Sequence, residues 1–262
     1  MEDEILKVDV TDGIARLVMN RPAKLNALSD AMLAALTERL TALGADPDVR
    51  VIILAGAGKA FCAGHDLAEM QAGRSAPDGG AAYFNDLFAR CGALMQLIPT
   101  LPQPVIAEVH GIATAAGCQL VATCDLAVAA EGTRFGVNGV NIGLFCSTPM
   151  VALTRNIGRK AAFELLTTGQ FIDAARATEL GLINRAVPHD ALQAETRQLA
   201  QTIAAKLSAA VRIGKRAFYD QAQMTLADAY AHTGRVMAEN MLLRDTDEGI
   251  NAFLEKRAPD WA

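Results

Sequence analysis

The sequence has little of what marks secreted, metal-binding or membrane-spanning proteins. Its cysteines are odd in number and never stand in a CxxC spacing, so no disulfide framework is indicated. No apolar run reaches the ~20 residues that a membrane-spanning helix needs, and the acidic opening MEDEILKVDV lacks a signal-peptide core. These absences predict a soluble, cytoplasmic protein with reduced thiols. The cysteines are Cys62, Cys91, Cys118, Cys124 and Cys146.

Positive charge is also scarce. The chain has 24 Lys and Arg against 29 Asp and Glu, for a net charge of −5. Basic residues form no run, so we expect no nucleic-acid partner. The segment GAGKA at 56–60 has alanine where a phosphate-binding loop needs Ser or Thr after the lysine. We therefore expect no phosphate loop, no metal and no separate cofactor.

The remaining composition suits an α/β protein, because 52% of the 262 residues are hydrophobic and 20% are charged. An N-terminal hairpin and a helix capped by Ser29 come first, and short apolar strands then alternate with helices. With right-handed crossovers, this order predicts a stacked or solenoid-like parallel arrangement. We place a β/α core at residues 1–190 and a helical region at residues 191–262.

One stretch, residues 105–125 (VIAEVHGIATAAGCQLVATCD), organises the chain. It opens as a buried strand, passes through very small residues and continues as a helix that starts near Ala116. The first N–H groups of a helix have no internal partner and lie at the positive end of its dipole. This corner can therefore receive an oxygen that becomes anionic during a reaction.

A second corner of the same kind follows the apolar strand Val51 to Leu54. The segment AGAGKAFCAGHDLAEM leads into a helical start with Asp66 as the expected cap. If the two corners face each other, one carbonyl oxygen can lie between two backbone donors. This pairing is the central prediction for function.

Gln119 lies in the first turn of the predicted central helix. Side chains lean toward a helix N-terminus, so Gln119 should face whatever binds there. A carboxylate at this place could act as a general base, whereas an amide cannot take up a proton at neutral pH. The pattern predicts an oxyanion site without its base.

Other candidates each have a structural interpretation. The His65 ring could be a base, although a loop histidine whose backbone matters more is favoured. Cys146 and Ser147 could be nucleophiles, but small polar residues lining a turn are commoner. Asn138 and Asn141 are most simply turn residues. The closing segment FLEKRAPDW is either a solvated helix end or a contact surface.

These motifs carry a family likeness. RPAKLNAL, FCAGHDL, VHGIATAAGCQLVATCD, LTTGQFIDAARATELGLINRAV and FLEKRAPDW resemble the enoyl-CoA hydratase/isomerase (crotonase) superfamily, in the same order along the chain. The resemblance implies an α/β fold built as a spiral of β-β-α turns. It also implies a C-terminal helical region that forms a homotrimer or a dimer of trimers. The ligand would be an acyl-CoA thioester, with coenzyme A as part of the substrate.

The resemblance also assigns roles to individual residues. It places the two oxyanion donors at the N–H groups of His65 and Ala116. Coenzyme A and the thioester would run along the segment Ala63 to Ala68, and Arg21 lies in a loop near the phosphates. The other substrate-binding positions that it implies are Lys24, Asp66, Leu67, Gly139, Phe253 and Lys256.

The departures from the family pattern concern acid–base groups. Hydratases of the family hold their water with two glutamates, which match Gln119 and Gly139 here. A third acidic position, used by some isomerases, matches Ser147. Since each such group supplies roughly 10²–10⁴-fold, ordinary hydration should be slow. We expect glutamate at positions 119 and 139 together to restore it, unless Gly139 has a positive φ.

Three functions remain open from the sequence. The first is a hydratase or related lyase that uses unusual groups, such as Asp66, Glu69 or a water held by Gln119. The second is another acyl-CoA reaction, such as isomerisation or thioester hydrolysis, driven by the oxyanion site. The third is a non-catalytic acyl-CoA-binding or regulatory protein.

Overall fold

The computed structural model describes residues 4–261, so the ends of the two predicted regions, residues 1–3 and 262, lie outside it. The strands are β1 (Leu6–Thr11), β2 (Ile14–Met19), β3 (Val51–Gly56), β4 (Val105–Val109), β5 (Ile112–Thr114), β6 (Leu126–Ala130), β7 (Arg134–Gly136), β8 (Ile172–Asp173) and β9 (Arg185–Val187). The helices are α1 (Asp30–Ala45), α2 (Leu67–Gly73), α3 (Ala81–Thr100), α4 (Ala116–Thr123), α5 (Ser147–Asn156), α6 (Arg159–Thr168), α7 (Ala174–Leu180), α8 (Leu192–Ala204), α9 (Ser208–Gln221), α10 (Leu226–Met241) and α11 (Arg244–Glu255). Short 3₁₀ helices cover Pro22–Lys24, Asn138–Ile142 and His189–Ala191.

Two sheets are stacked along a spiral. The larger has the order β1-β2-β3-β4-β6-β9, with an antiparallel β1–β2 hairpin and parallel pairs from β2 onward. The smaller sheet has the order β5-β7-β8. Because β4 continues into β5 and then α4, and β6 into β7, each turn crosses both sheets before its helix. The predicted spiral of β-β-α turns is confirmed.

Hydrophobic residues fill both faces of the larger sheet. Ile52 and Leu54 of β3 belong to the main core under α1, α3 and α4, whereas Ile53 belongs to a second cluster. That second cluster also contains Ile106 of β4 and Leu192 of α8. Because both faces are covered, β3 and β6 are continuously apolar, as parallel strands usually are. The inner strands β2 and β4 each carry one charged residue, Arg16 and Glu108, which form an ion pair.

Two helix starts follow their predicted caps. The Ser29 hydroxyl accepts a hydrogen bond from the N–H of Met32, 3.1 Å away, at the start of α1. The Asp66 carboxylate accepts from the N–H groups of Ala68 and Glu69 at the start of α2. Both side chains occupy backbone donors that the helix itself leaves free.

Some elements depend on contacts that local sequence patterns do not indicate. α3 continues through Pro99 to Thr100, because the Leu101 N–H donates to the carbonyls of Leu97 and Ile98 and closes the last turn. Residues 133–149, rich in Gly and Asn, contain β7 and the 3₁₀ helix Asn138–Ile142. β7 and β8 have three and two residues, and pairing with distant strands rather than local sequence defines them.

The C-terminal helices differ in how much of their surface packs against the rest of the chain. Within α9, Lys215 is buried and its ammonium group donates to the carbonyls of Ile98 and Gln103 and to the Asp125 carboxylate. α8 covers one face of the larger sheet, whereas α10 and α11 expose many large apolar side chains. The boundary at residue 190 stays a prediction. Within residues 4–261, no helix is both long and apolar enough to cross a membrane.

Candidate functional site

The segment 61–65 lies between two other segments, which brings the two predicted corners together. On one side, the Leu28 N–H donates to the Gly64 carbonyl at 2.7 Å. On the other side, the Cys62 N–H donates to the Ile112 carbonyl and the Thr114 N–H donates to the Cys62 carbonyl, both at 3.1 Å. Cys62 thereby forms a parallel bridge with Ala113, beside β5. The first corner therefore lies directly against the chain that enters α4.

Gly64, whose φ is +91°, packs against the residues that begin α4. A Cβ atom on Gly64 would lie 3.0 Å from the Cβ of Ala115 and 3.4 Å from the backbone nitrogen of Ala116. Ala115, the N-cap of α4, has a φ of 49° although it is not glycine. Its N–H donates to the Gly136 carbonyl at 2.9 Å, which helps to hold this strained turn. Both corners are thus fixed in contact.

The N–H groups of His65 and Ala116 are the two predicted donors. Within residues 4–261, neither donates a hydrogen bond to another backbone group. Ala116 is the first residue of α4, so its N–H lies at the positive end of that helix. Two backbone N–H groups at adjoining corners are therefore without a backbone acceptor among the described residues.

The His65 ring is engaged elsewhere. It packs edge-on against Phe88 of α3 with ring centroids 5.7 Å apart, and its Nδ1 lies 3.4 Å from the Leu28 carbonyl oxygen. Burial lowers the pKa of this histidine below its ordinary value and favours the neutral ring. Nε2 has no partner within residues 4–261. The side chain is a packed part of the corner, and its backbone forms the edge of the site.

Gln119 occupies the first turn of α4, as the sequence predicted. Its side chain is only 3% exposed, and its amide oxygen Oε1 has no hydrogen-bond partner among the described residues. An unsatisfied buried acceptor costs about 1–3 kcal/mol. Gln119 therefore places an uncompensated acceptor one helical turn from the Ala116 N–H.

The loop that carries Gly139 lies beside α4. The Thr114 hydroxyl donates to Asn138 Oδ1 at 2.7 Å, and the amide group of Asn141 donates to the Gly169 carbonyl at 3.3 Å. Both asparagines thus hold the loop in place, which agrees with their interpretation as turn residues.

No side chain has room at Gly139. A Cβ atom there would overlap the carbonyl oxygen of Leu144 and would lie 2.8 Å from the Cys146 sulfur. The Leu144 N–H also donates to the Gly139 carbonyl at 2.9 Å, which closes the loop on itself. The structure therefore argues against a glutamate at position 139, because the Gly139 loop would have to shift to admit it. The obstacle is the Leu144 carbonyl oxygen. The φ of Gly139 does not lie in the positive region, so backbone strain of that kind is not the cause.

The nearby carboxylates and thiol offer no free base. Asp66 caps α2, and Glu69 Oε2 accepts from the Asp30 N–H at 2.8 Å at the start of α1. Burial raises the pKa of the Cys146 thiol. The Ser147 hydroxyl is exposed, and its hydrogen bond to the Phe145 carbonyl is 3.4 Å long. Nothing in this set resembles an activated nucleophile with its base.

The other predicted binding residues lie at the surface. Leu67 and Ala68 are exposed on α2, next to the partly buried Ala63, and Lys24 is exposed at the end of its 3₁₀ helix. Their positions border the first corner.

The remaining two predicted binding residues, Phe253 and Lys256, lie near the C-terminal end of the chain. Phe253 is 82% exposed on α11, and Lys256 follows the end of that helix. Phe253 lines a mostly apolar cavity of about 400 Å³ with residues of α9, α10 and α11 and with Trp261. The structure therefore places Phe253 and Lys256 with the tail helices. Within residues 4–261, no cluster of three or more His, Cys, Asp or Glu side chains could hold a metal ion.

Comparison with known proteins gives the same fold throughout. The sequence model of the enoyl-CoA hydratase/isomerase family matches residues 9–262. A crystal structure of an enoyl-CoA hydratase from Mycobacterium smegmatis is 54% identical, with a TM-score of 0.95 and 99% of each chain covered. Human enoyl-CoA hydratase domain-containing protein 3 is 44% identical with a TM-score of 0.94, covering 98% of this chain and 100% of that one.

A curated relative from Xenopus laevis, the mitochondrial enoyl-CoA hydratase domain-containing protein 3, is 46% identical over 249 residues. The match covers 95% of this chain and 83% of the relative. Its name, like those of the rat and human relatives, states a mitochondrial location. The prediction of a cytoplasmic location is therefore wrong. That prediction used the missing secretory signal core, which bears on one targeting route only.

Proposed function

This chain belongs to the enoyl-CoA hydratase/isomerase family, as its motifs predicted, and we propose that it binds acyl-CoA thioesters. The thioester carbonyl oxygen lies between the N–H groups of His65 and Ala116. This proposal rests on these two N–H groups, which have no backbone acceptor within residues 4–261 and lie at corners held in contact through Gly64. Such donors stabilise negative charge that develops on a carbonyl oxygen.

The substrate-binding residues surround this point. Coenzyme A runs along the start of α2, from Ala63 to Ala68, where Asp66 fixes the helix and Leu67 offers an apolar contact that is 55% exposed. Lys24 lies near the phosphates with its positive charge in solvent. Coenzyme A enters as part of the substrate, and the proposal requires no separate cofactor.

The site supports binding and carbonyl polarisation better than hydration. Gln119 carries an amide, Gly139 has no room for a side chain, and Ser147 is no acid. Asp66 and Glu69, the unusual bases considered from the sequence, are engaged at helix starts. We therefore propose an acyl-CoA-binding protein in which hydratase activity is weak or absent, as suits a binding or regulatory role.

A second candidate is a working enoyl-CoA hydratase, or another lyase, isomerase or thioesterase, that relies on the oxyanion site. The observation in its favour is the 54% identity to a protein described as an enoyl-CoA hydratase. In that case Gln119 orients a water without accepting its proton, and turnover of crotonyl-CoA depends on the two backbone donors.

The test removes one donor. Ala116 is the first residue of α4, a position where proline fits a helix, and the proline ring replaces the N–H that would bind the oxygen. Ala116→Pro should weaken binding of butyryl-CoA, a substrate analogue that cannot be hydrated, by roughly 5- to 20-fold in calorimetry. Any turnover of crotonyl-CoA should fall with it.

The control is Ala115→Gly, which keeps both N–H groups and suits the φ of 49°. This variant should bind as the unmodified protein does. Unchanged affinity in a folded Ala116→Pro variant would refute the assigned donor. Absence of butyryl-CoA binding by the unmodified protein would refute the proposed function.

A further inference from the structure

The His65 ring is a buried polar group that the proposed binding of an acyl thioester does not use. It packs edge-on against Phe88 of α3, with ring centroids 5.7 Å apart. Its Nδ1 atom lies 3.4 Å from the Leu28 carbonyl oxygen, whereas Nε2 has no hydrogen-bond partner among the described residues. A buried polar atom without a partner is uncommon in folded proteins and calls for an explanation.

The partner of Nδ1 decides which ring nitrogen carries the hydrogen. A carbonyl oxygen can only accept a hydrogen bond, so Nδ1 must donate it. Burial lowers the pKa of His65, which keeps the ring neutral at pH 7, and a neutral imidazole carries a single N–H. The hydrogen is therefore on Nδ1 and is directed at Leu28.

Leu28 also holds the peptide group that precedes the ring. Its N–H donates to the Gly64 carbonyl oxygen at 2.7 Å, and Leu28 and His65 form a parallel bridge. The Gly64 carbonyl and the His65 N–H belong to one planar trans peptide, in which these two bonds point in opposite directions. The His65 N–H therefore points away from Leu28, and on that opposite side the segment adjoins the chain that enters α4.

The hydrogen bond from Leu28 also makes the His65 N–H a better donor. A peptide whose carbonyl accepts a hydrogen bond is polarised, which strengthens the bond that its N–H can make. The Ala116 N–H has the same support, because the Ala115 carbonyl accepts from the Gln119 N–H at 3.0 Å. Helix α4 holds that second peptide, whereas the His65 peptide precedes α2 and is held by its contacts with Leu28.

We propose that His65 is a positioning residue, whose Nδ1–H bond to the Leu28 carbonyl fixes the peptide N–H that receives the thioester oxygen. This proposal rests on the proposed acyl-CoA binding. The ring acts through its own peptide and not through a contact with the substrate. It sets how strongly the thioester carbonyl is polarised, because a rotated peptide directs its N–H away from the oxygen.

Infrared difference spectroscopy of bound butyryl-CoA, isotopically labelled at the thioester carbonyl, tests this role. In the unmodified protein the carbonyl stretch should lie at a lower frequency than in free butyryl-CoA. His65→Leu, of similar size but without the Nδ1–H, should lose at least about half of that shift and weaken binding roughly threefold to tenfold. His65→Asn places an amide N–H near the position of Nδ1 and should retain both the shift and the affinity.

His189→Leu is the matched control. His189 is exposed in the 3₁₀ helix His189–Ala191, so its replacement should change neither the shift nor the affinity. A general loss of stability would lower the folded fraction and leave the carbonyl frequency of the bound ligand as it is. The full shift in a folded His65→Leu protein would overturn the role of the ring. An equal loss of the shift in His65→Leu and His65→Asn would overturn it too.

A second measurement needs only the unmodified protein. Nitrogen NMR of the imidazole, assigned through the backbone amide of His65, should show the hydrogen on Nδ1 at neutral pH. A hydrogen on Nε2 would overturn the proposal, because Nδ1 could then not donate to the Leu28 carbonyl. Failure of the unmodified protein to bind butyryl-CoA would instead refute the proposed function itself, whichever nitrogen carries the hydrogen.

Discussion

At the scale of single residues, Gln119 and Gly139 set the chemistry of the proposed acyl site. Both positions match the water-holding glutamates of family hydratases, and neither can exchange a proton. They differ in how firmly the surrounding structure fixes them. The glutamine side chain could be replaced by another of the same length, whereas Gly139 is enclosed by the Leu144 carbonyl and the Cys146 sulfur. The two substitutions should therefore behave differently.

Gln119→Glu should increase hydration of crotonyl-CoA, because a carboxylate can accept a proton from water where the amide cannot. General acid–base groups contribute roughly 10²–10⁴-fold, and we expect a gain of at least about tenfold with a single group. The loss of the enoyl absorbance in a spectrophotometric assay measures it. Gln119→Met is the matched control and should show no gain. A folded Gln119→Glu protein that binds butyryl-CoA and gains nothing would contradict this prediction.

Gly139→Ala should destabilise the protein, since even one methyl group would overlap the Leu144 carbonyl oxygen and force the loop to shift. Overpacking of this kind costs about 1–3 kcal/mol, measurable as a lower urea midpoint. The control is Gly132→Ala at an exposed turn, where a Cβ meets no atom within 4 Å and φ is not in the positive region. The control should change stability by less than ~0.5 kcal/mol. Equal stability of both variants would show that the loop yields easily.

At the scale of elements, the C-terminal segment is tied back onto α11. Arg257 pairs with Glu248 through two N–H···O contacts, and Glu248 also accepts from the Asp260 N–H at 2.8 Å. The Trp261 ring lies so close to Gly249 that a Cβ there would be 2.8 Å from it. One carboxylate thus joins the helix, the arginine and the tail.

Acid should release this segment. The Arg257 side chain and the Asp260 N–H lower the pKa of Glu248 from 4.5 to about 2. Since the folded-state pKa is the lower one, the contribution to stability is complete above about pH 4.5 and is lost as pH falls toward 2. Fluorescence of Trp261, the single tryptophan, should stay constant from pH 7 to 5 and shift below 4.5. Glu248→Gln should show the shifted emission already at pH 7. Identical emission of the two proteins at pH 7 would count against the tie.

At the scale of the whole molecule, two groups of large apolar side chains are exposed at the surface. We name these two groups of exposed large apolar side chains the tail patch and the loop patch. Such extents of apolar surface commonly mark interfaces. The tail patch is Leu226, Tyr230, Met237, Met241, Phe253 and Leu254, and the loop patch is Ile142, Leu144, Phe145, Val151 and Phe163.

We expect the protein to form a homotrimer or a dimer of trimers in which the tail patch is covered. Phe253 and Lys256 would then approach the acyl site of a neighbouring copy. Light scattering should give three or six times the chain mass of 27.7 kDa. Met237→Glu combined with Leu254→Glu should reduce that mass, whereas Val10→Glu, an equally apolar-to-acidic change on β1, should not. A monomer at micromolar concentration would refute the assembly.

The sequence by itself determined the family, the main strands and helices, the two corners and the chemical identity of the group at Gln119. These depend on local signals: buried strand runs, small residues before a helix, and the caps Ser29 and Asp66. Such signals are read from neighbours in the chain, so no tertiary information is needed.

Only the tertiary structure decided what surrounds those groups. Gly64 packs against the start of α4, and Leu144 fills the space at Gly139. Oε1 of Gln119 has no hydrogen-bond partner among the described residues. Each of these facts depends on how separate parts of the chain pack together. β7 and β8 likewise exist through their pairing and not through local propensity. Packing sets the space and hydrogen-bond partners available to each side chain, and local sequence patterns carry no record of either.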